Sequence, residues 1–123
     1  MAISPSYYDQ IAGAQVLPDI VQQFYTIVLD DPDLKPYFDD VDMARLRRHM
    51  VILLGAILGG PYVYEGRELG EAHKGLGITD EHYGKVVKIL VTLLRRNGVG
   101  QEVINHLVVS LTHAQPAIVA GPA

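Results

Sequence analysis

Cysteine is absent from the 123-residue chain. That absence excludes a disulfide staple, a Cys-based zinc or iron–sulfur site, a thiol nucleophile and covalent cofactor attachment through a C-x-x-C-H run. Any metal must be held by His or carboxylate. An excess of positive charge is also lacking: 10 Lys and Arg stand against 14 Asp and Glu, a net charge of -4. The chain therefore has no long-range attraction for phosphate backbones or anionic lipid, and nucleic acid is not an expected partner. Residues 103–123 contain no Asp, Glu, Lys or Arg. Even so, Asn105, His106, Ser110, Thr112, His113, Gln115 and Pro116 make that stretch too polar for a membrane span, and it reads as a buried terminal helix. The opening Met1-Ala2-Ile3-Ser4-Pro5 lacks the positive flank and apolar run of a signal peptide, so a cytoplasmic location is expected. There is no H-E-x-x-H, no G-x-S-x-G, no Walker A loop and no G-x-G-x-x-G, and no alternating segment long enough for a strand. What remains is all-α.

Apolar residues make up 49% of the chain and charged residues 20%, the balance of one folded domain spanning 1–123, alone or as a weak homodimer. Ser4-Pro5-Ser6 caps a brief first helix that Gly13 is expected to end. From Val16 to Leu29, apolar residues at 17, 20, 21, 24, 27 and 28 form the stripe of an amphipathic helix, stopped by Asp30-Asp31-Pro32. Leu34 to Phe38 allows one helical turn. Asp39, Asp40 and Asp42 offer caps for a helix beginning near Met43, whose stripe is Met43, Leu46, Met50, Leu53, Leu54, Ile57 and Leu58 and which Gly59-Gly60-Pro61 ends. His49, three after Leu46 and four before Leu53, is expected to point with that stripe and away from solvent.

Six of the twelve glycines fall at 59, 60, 66, 70, 75 and 77. A mostly irregular stretch of that length inside a compact domain points to function or disorder. At most Leu69 to Lys74 makes a short helix there. Thr79-Asp80-Glu81 starts the next helix, with Val86, Val87, Leu90, Leu93 and Leu94 buried and Arg95-Arg96-Asn97-Gly98 closing it. The last helix runs from Gln101, with Pro116 expected to kink or end it.

Five histidines carry the available chemistry: His49, His73, His82, His106 and His113. Glu65, Glu68 and Glu71 read as solvated surface of the glycine-rich loop. His73 stands in that loop beside Leu69, Ala72, Leu76 and Ile78. Spacing alone leaves two readings, a ligand to the metal of a flat apolar cofactor or a structural loop histidine. His82 and His106 are expected on solvated helix faces.

Several motifs then occur in order: Phe24-Tyr25, Pro36-Tyr37-Phe38, Asp42-Met43-Ala44-Arg45-Leu46, Leu58-Gly59-Gly60-Pro61, Tyr64-x-Gly66, and Glu71-Ala72-His73-Lys74-Gly75 followed by Gly77-Ile78-Thr79. In order and spacing, from about Tyr8 to the last helix, the chain resembles the group I truncated haemoglobins. The resemblance implies a two-over-two helical sandwich around one non-covalent haem b, with His73 as the proximal iron ligand and Nδ1 of its ring oriented by a carbonyl or water. It makes Tyr25 the distal tyrosine that stabilises bound ligand; the alternative is an ordinary core aromatic whose hydroxyl bonds to backbone. Phe38 matches the aromatic that wedges the porphyrin. Tyr64, Ile78, Tyr83, Val86 and Leu111 match pocket walls, where cofactor contact and core packing coincide. The distal helix departs from the pattern: Leu46 and Met50 stand where many relatives place a glutamine.

His49 matches a position that in a cyanobacterial branch of the family supplies a second axial histidine. It either closes the sixth coordination site or bonds a propionate or water at the pocket mouth. Arg45, Arg47 and Arg48 would disfavour its imidazolium, and Arg47 lies within reach of the cofactor. That branch can also bond a last-helix histidine to a haem vinyl group; here Pro116 takes that place, with His113 a turn earlier, and no covalent link is expected. The resemblance implies binding of dioxygen, nitric oxide and carbon monoxide, and conversion of nitric oxide to nitrate with an external reductase restoring ferrous iron. The alternative is a six-coordinate bis-histidine protein that carries oxygen, senses gas or transfers electrons. Leu54, Gly55 and Ala56 suit either a gas path or plain close packing. A haem-free helical interaction module would give no reason for the glycine-rich loop to order.

Overall fold

The computed structural model describes residues 5–62 and 77–119, except the side chains of 117 and 118. Its elements are helices: α1 (Tyr7–Gln10), α2 (Gly13–Leu29), a 3-10 turn (Lys35–Phe38), α3 (Met43–Ile57), α4 (Asp80–Arg96) and α5 (Gln101–Ile118). No strand occurs among the described residues. Caps fix the starts. The Ser6 hydroxyl accepts from Asp9 N–H, the Asp42 carboxylate from Arg45 N–H and the Thr79 hydroxyl from His82 N–H, each satisfying a donor that the first helical turn leaves open. Gly98, at φ 81°, gives α4 its left-handed exit.

Two boundaries differ from the sequence reading. Gly13 opens α2 and does not end α1; Ala12 makes the left-handed turn at φ 54°. Glycine is required at 13 for space, since a Cβ there would lie 2.4 Å from Cδ2 of Tyr8. Pro116 does not end the last helix, which continues to Ile118.

Helix α2 packs on α3 and α4, α4 on α5, and α3 on α5, so the four long helices close on one another. Leu17, Ile20, Val21, Phe24 and Val28 of α2 meet Leu54 and Leu58, Leu90, Leu93 and Leu94, and Val103, Ile104 and Leu107 in one core. Each fully buried leucine in such a core contributes about 1.5–3 kcal/mol. Ile27, on the sequence-derived stripe, is exposed, while neighbouring Tyr25 is buried. The terminal helix is buried on one face only, and Val109 is 57% exposed.

A second, smaller cluster gathers Leu53, Ile78, Val87, Ala114 and Val119 around Tyr83, between α3, α4 and the end of α5. The Tyr83 hydroxyl donates to the carbonyl of Leu111 and ties α4 to α5. At the opposite end, Tyr8 and Tyr62 meet edge to face with their hydroxyls 3.1 Å apart. Their rings fill the space left by Gly13, Gly55 and Gly60, where an added Cβ would come within 2.9 Å or less of ring carbons.

Candidate functional site

Tyr25 sits at the centre of the candidate site. It is 5% exposed, held between Phe24 (ring centroids 4.9 Å apart) and Phe38 (5.8 Å), both edge to face. Its place follows from helical spacing: it is four residues after Val21 and three before Val28, so it borders the buried stripe of α2. Phe38 reaches it because the 3-10 turn folds back on α2, a return the Asp30-Asp31-Pro32 stop makes possible. Burial pushes the Tyr25 phenol well above its ordinary pKa, while the Arg47 guanidinium on α3 pulls the other way. The phenol is therefore neutral and keeps its proton. It hydrogen-bonds no other described residue, unlike Tyr83, whose donor is already taken by Leu111.

The walls around this donor are apolar. Leu46 and Met50 of α3, Val86 of α4 and Phe38 are half-buried and pack against the core that contains Tyr25. Leu53 joins Ile78 and Tyr83 on the α4 side, and burial pushes the Tyr83 phenol up as well. Leu111 is buried beside them. Helices α3 and α4 thus each carry half-buried apolar side chains, and α2 contributes one neutral hydroxyl. Such side chains suit a flat apolar group, and a small polar ligand on that group would find in Tyr25 a hydrogen-bond donor.

Of the residues singled out from sequence, Tyr25, Phe38, Leu46, Met50, Val86 and Leu111 belong to or pack against the main core, Ile78 and Tyr83 belong to the separate smaller cluster, and Arg47 is half-buried. His73 and Tyr64 lie outside the described residues. His49 is exposed, against the expectation that it turns away from solvent. The reason is angular: at 100° per residue it lies one step beyond Leu53, on the flank of the α3 stripe whose buried members are Leu54 and Gly55. It still stands one helical turn from Leu46 on one side and Leu53 on the other. No group of three or more His, Cys, Asp or Glu suited to a metal occurs among the described residues.

Of the two histidines expected on solvated helix faces, His106 is exposed as expected and His82 is not. His82 is half-buried, with Nδ1 2.6 Å from the Tyr37 hydroxyl. His106 is exposed, but its Nε2 lies 2.9 Å from the carbonyl of Ile57 and its ring packs on Tyr7. Sequence reasoning missed the part Leu53 plays at Tyr83. The available signal was its i+4 spacing from His49 and i+7 from Leu46.

Comparison with known proteins agrees with this geometry. The family model described as bacterial-like globin matches residues 6–119. A group 1 truncated hemoglobin of Mycolicibacterium paratuberculosis is 36% identical over 96% of this chain and 87% of its own length. One from Synechocystis is 37% identical over 79% of this chain and 82% of its own. The Fe(III) form of the truncated hemoglobin from Tetrahymena pyriformis superposes with a TM-score of 0.85 at 28% identity, covering 95% of this chain and all of the other. The α2, α3, α4 and α5 layers are thus the two-over-two sandwich, and no described helix is long and apolar enough to cross a membrane. The chain belongs to the bacterial-like globins as a group I truncated haemoglobin, a family whose cofactor is non-covalently bound haem and whose ligands are diatomic gases.

Proposed function

We propose that the protein binds dioxygen, nitric oxide and carbon monoxide under the control of Tyr25, and that its reaction is the conversion of nitric oxide with dioxygen to nitrate. The observation that carries this reading is the Tyr25 phenol: buried, held neutral, wedged by Phe24 and Phe38, and hydrogen-bonded to no other described residue. Haem supplies an iron at which the gases bind and are converted, and which an external reductase returns to the ferrous state. His73 would hold that iron. Ile78, Tyr83, Val86 and Leu111 wall the porphyrin on the α4 and α5 side, and Phe38, Leu46 and Met50 on the distal side, with Tyr64 completing the wall. Arg47 faces the cofactor's propionates.

Tyr25 donates a charge-assisted hydrogen bond to the partly anionic ligand and slows its escape. Leu46 and Met50 add no second donor, so the hold on the ligand rests on one hydroxyl. His49, exposed on the flank of the same face, would be a second residue able to hold the iron when no gas is present. Replacing Tyr25 by Phe should raise the dioxygen dissociation rate about ten- to a hundredfold, the value of one hydrogen bond to a charged group. Stopped-flow displacement by carbon monoxide measures it, and an unchanged rate removes Tyr25 from the role. Nitrate formed on rapid mixing of the oxygenated ferrous protein with nitric oxide tests the reaction. The reduced visible spectrum of H49A tests the sixth ligand, which should change from split, sharp bands to one broad band.

A further inference from the structure

Tyr37 and His82 form a pair that the gas-binding site does not use. The Tyr37 hydroxyl and Nδ1 of His82 are 2.6 Å apart, both residues are half-buried, and the rings meet edge to face with centroids 5.5 Å apart. The five other described tyrosines have quite different surroundings. Tyr7 donates to an exposed carboxylate, Glu102; Tyr8 and Tyr62, among the described residues, bond to each other; Tyr83 donates to a backbone carbonyl, which takes no proton. Tyr25 has no base among the described residues. Of these tyrosines, then, only Tyr37 has an imidazole at hydrogen-bond distance, the side chain best suited to accept and release a proton near neutral pH.

The pair is also close to the site. Tyr37 directly precedes Phe38, whose ring packs on Tyr25. His82 directly precedes Tyr83 and is one helical turn before Val86, two residues proposed above to wall the haem. His82 is held in place from below, where its N–H donates to the Thr79 hydroxyl. The segment leading into the 3-10 turn that carries Tyr37 is tied to the same helix by Lys85, which bridges to Asp31 and Asp33. Such double tethering keeps donor and acceptor in register without a rearrangement when charge moves.

We propose that Tyr37 and His82 are a proton-coupled redox site that gives one electron to the haem after a hydroperoxide has oxidised it. The inference rests on the haem-binding reading. In the tautomer with the proton on Nε2, the phenol donates to Nδ1. One electron leaves the ring, the phenol O–H bond breaks, and its proton crosses the 2.6 Å hydrogen bond to Nδ1. The products are a neutral tyrosyl radical and an imidazolium. Bound haem would be the electron's acceptor, and the hydroperoxide would be the two-electron oxidant, itself reduced to water or an alcohol as its O–O bond breaks. The chain thereby consumes peroxide oxidising power at a chosen side chain instead of losing it at random ones.

The test uses the ferric holoprotein, with haem uptake first verified from its absorption, mixed with hydrogen peroxide and frozen rapidly for electron paramagnetic resonance. A tyrosyl signal that is lost in Y37F and reduced several-fold in H82Q supports the proposal. Glutamine preserves a hydrogen-bond acceptor but not a base, so a loss of radical at unchanged Tm separates proton acceptance from structural support. A signal of equal intensity in Y37F, or one undiminished in H82Q, overturns the proposal while leaving gas binding intact. Failure to take up haem is seen before peroxide is added, and counts instead against the haem-binding reading.

Discussion

Helices α2 and α3 are similar in length and both have an apolar stripe, yet they are used in opposite ways. In α2 seven residues are buried, Gly13, Leu17, Ile20, Val21, Phe24, Tyr25 and Val28, and the helix is closed against protein along its length. In α3 only Leu54 and Gly55 are buried, while Met43, Leu46, Met50 and Leu53 remain half-buried. The difference teaches that an apolar stripe has two uses. One face is closed on protein and serves stability; the other stays half-exposed, as the proposed haem site needs, and the donor proposed for it, Tyr25, comes from the closed face.

Four substitutions would break or sharpen this contrast. Leu94→Ala, at a fully buried position facing α2, should have the largest effect, a loss of about 2–5 kcal/mol in urea unfolding. Gly55→Ala comes next, at about 1–3 kcal/mol, because its Cβ would lie 2.5 Å from Cδ2 of the Tyr62 ring, which Tyr8 hems in. Leu53→Ala on the open face should lower stability by only about 1 kcal/mol, since less apolar area leaves water there, and should lower haem affinity more visibly. If it costs as much as Leu94→Ala, the contrast between the faces is wrong.

Asp31→Asn should have the smallest effect. Lys85 holds the Asp31 carboxyl below its ordinary 3.8, and Asp31 with Asp33 holds the Lys85 ammonium above 10.5. A lowered acid contributes stability above its unfolded pKa and loses it as pH falls through the lowered value; a raised base contributes below its unfolded pKa and loses it as pH rises through the raised value. The tie is therefore complete between those limits and weakens beyond either. A small Tm difference between wild type and D31N should be seen at neutral pH, fading in strong acid and in high salt.

The sequence made the long helices legible because each carries its own period and its own cap: Asp42 and Thr79 are read directly as starts, and Gly98 as an end. The aromatic wedge at Tyr25 was legible through family resemblance, since nothing in local spacing distinguishes it from Phe24. What could not be read was pairing across the chain. Tyr37 and His82 are 45 residues apart, and a histidine in the first turn of a helix looks solvated until the 3-10 turn is seen to fold over it. Gly13 misled for a related reason. A glycine before a helical stripe reads as a turn residue, but here the left-handed turn falls on Ala12 and the glycine makes room for a ring.

Tyr8 belongs to a helix of four residues, far too short to hold its shape alone. Its backbone N–H donates to the carbonyl of Leu58, and its ring lies against Gly13 and Gly60. Its hydroxyl meets that of Tyr62, 54 residues later. The amino-terminal turn therefore acts as a keystone: it holds the end of α3 and Tyr62 together, so trimming the chain past Tyr8 would loosen that corner of the fold.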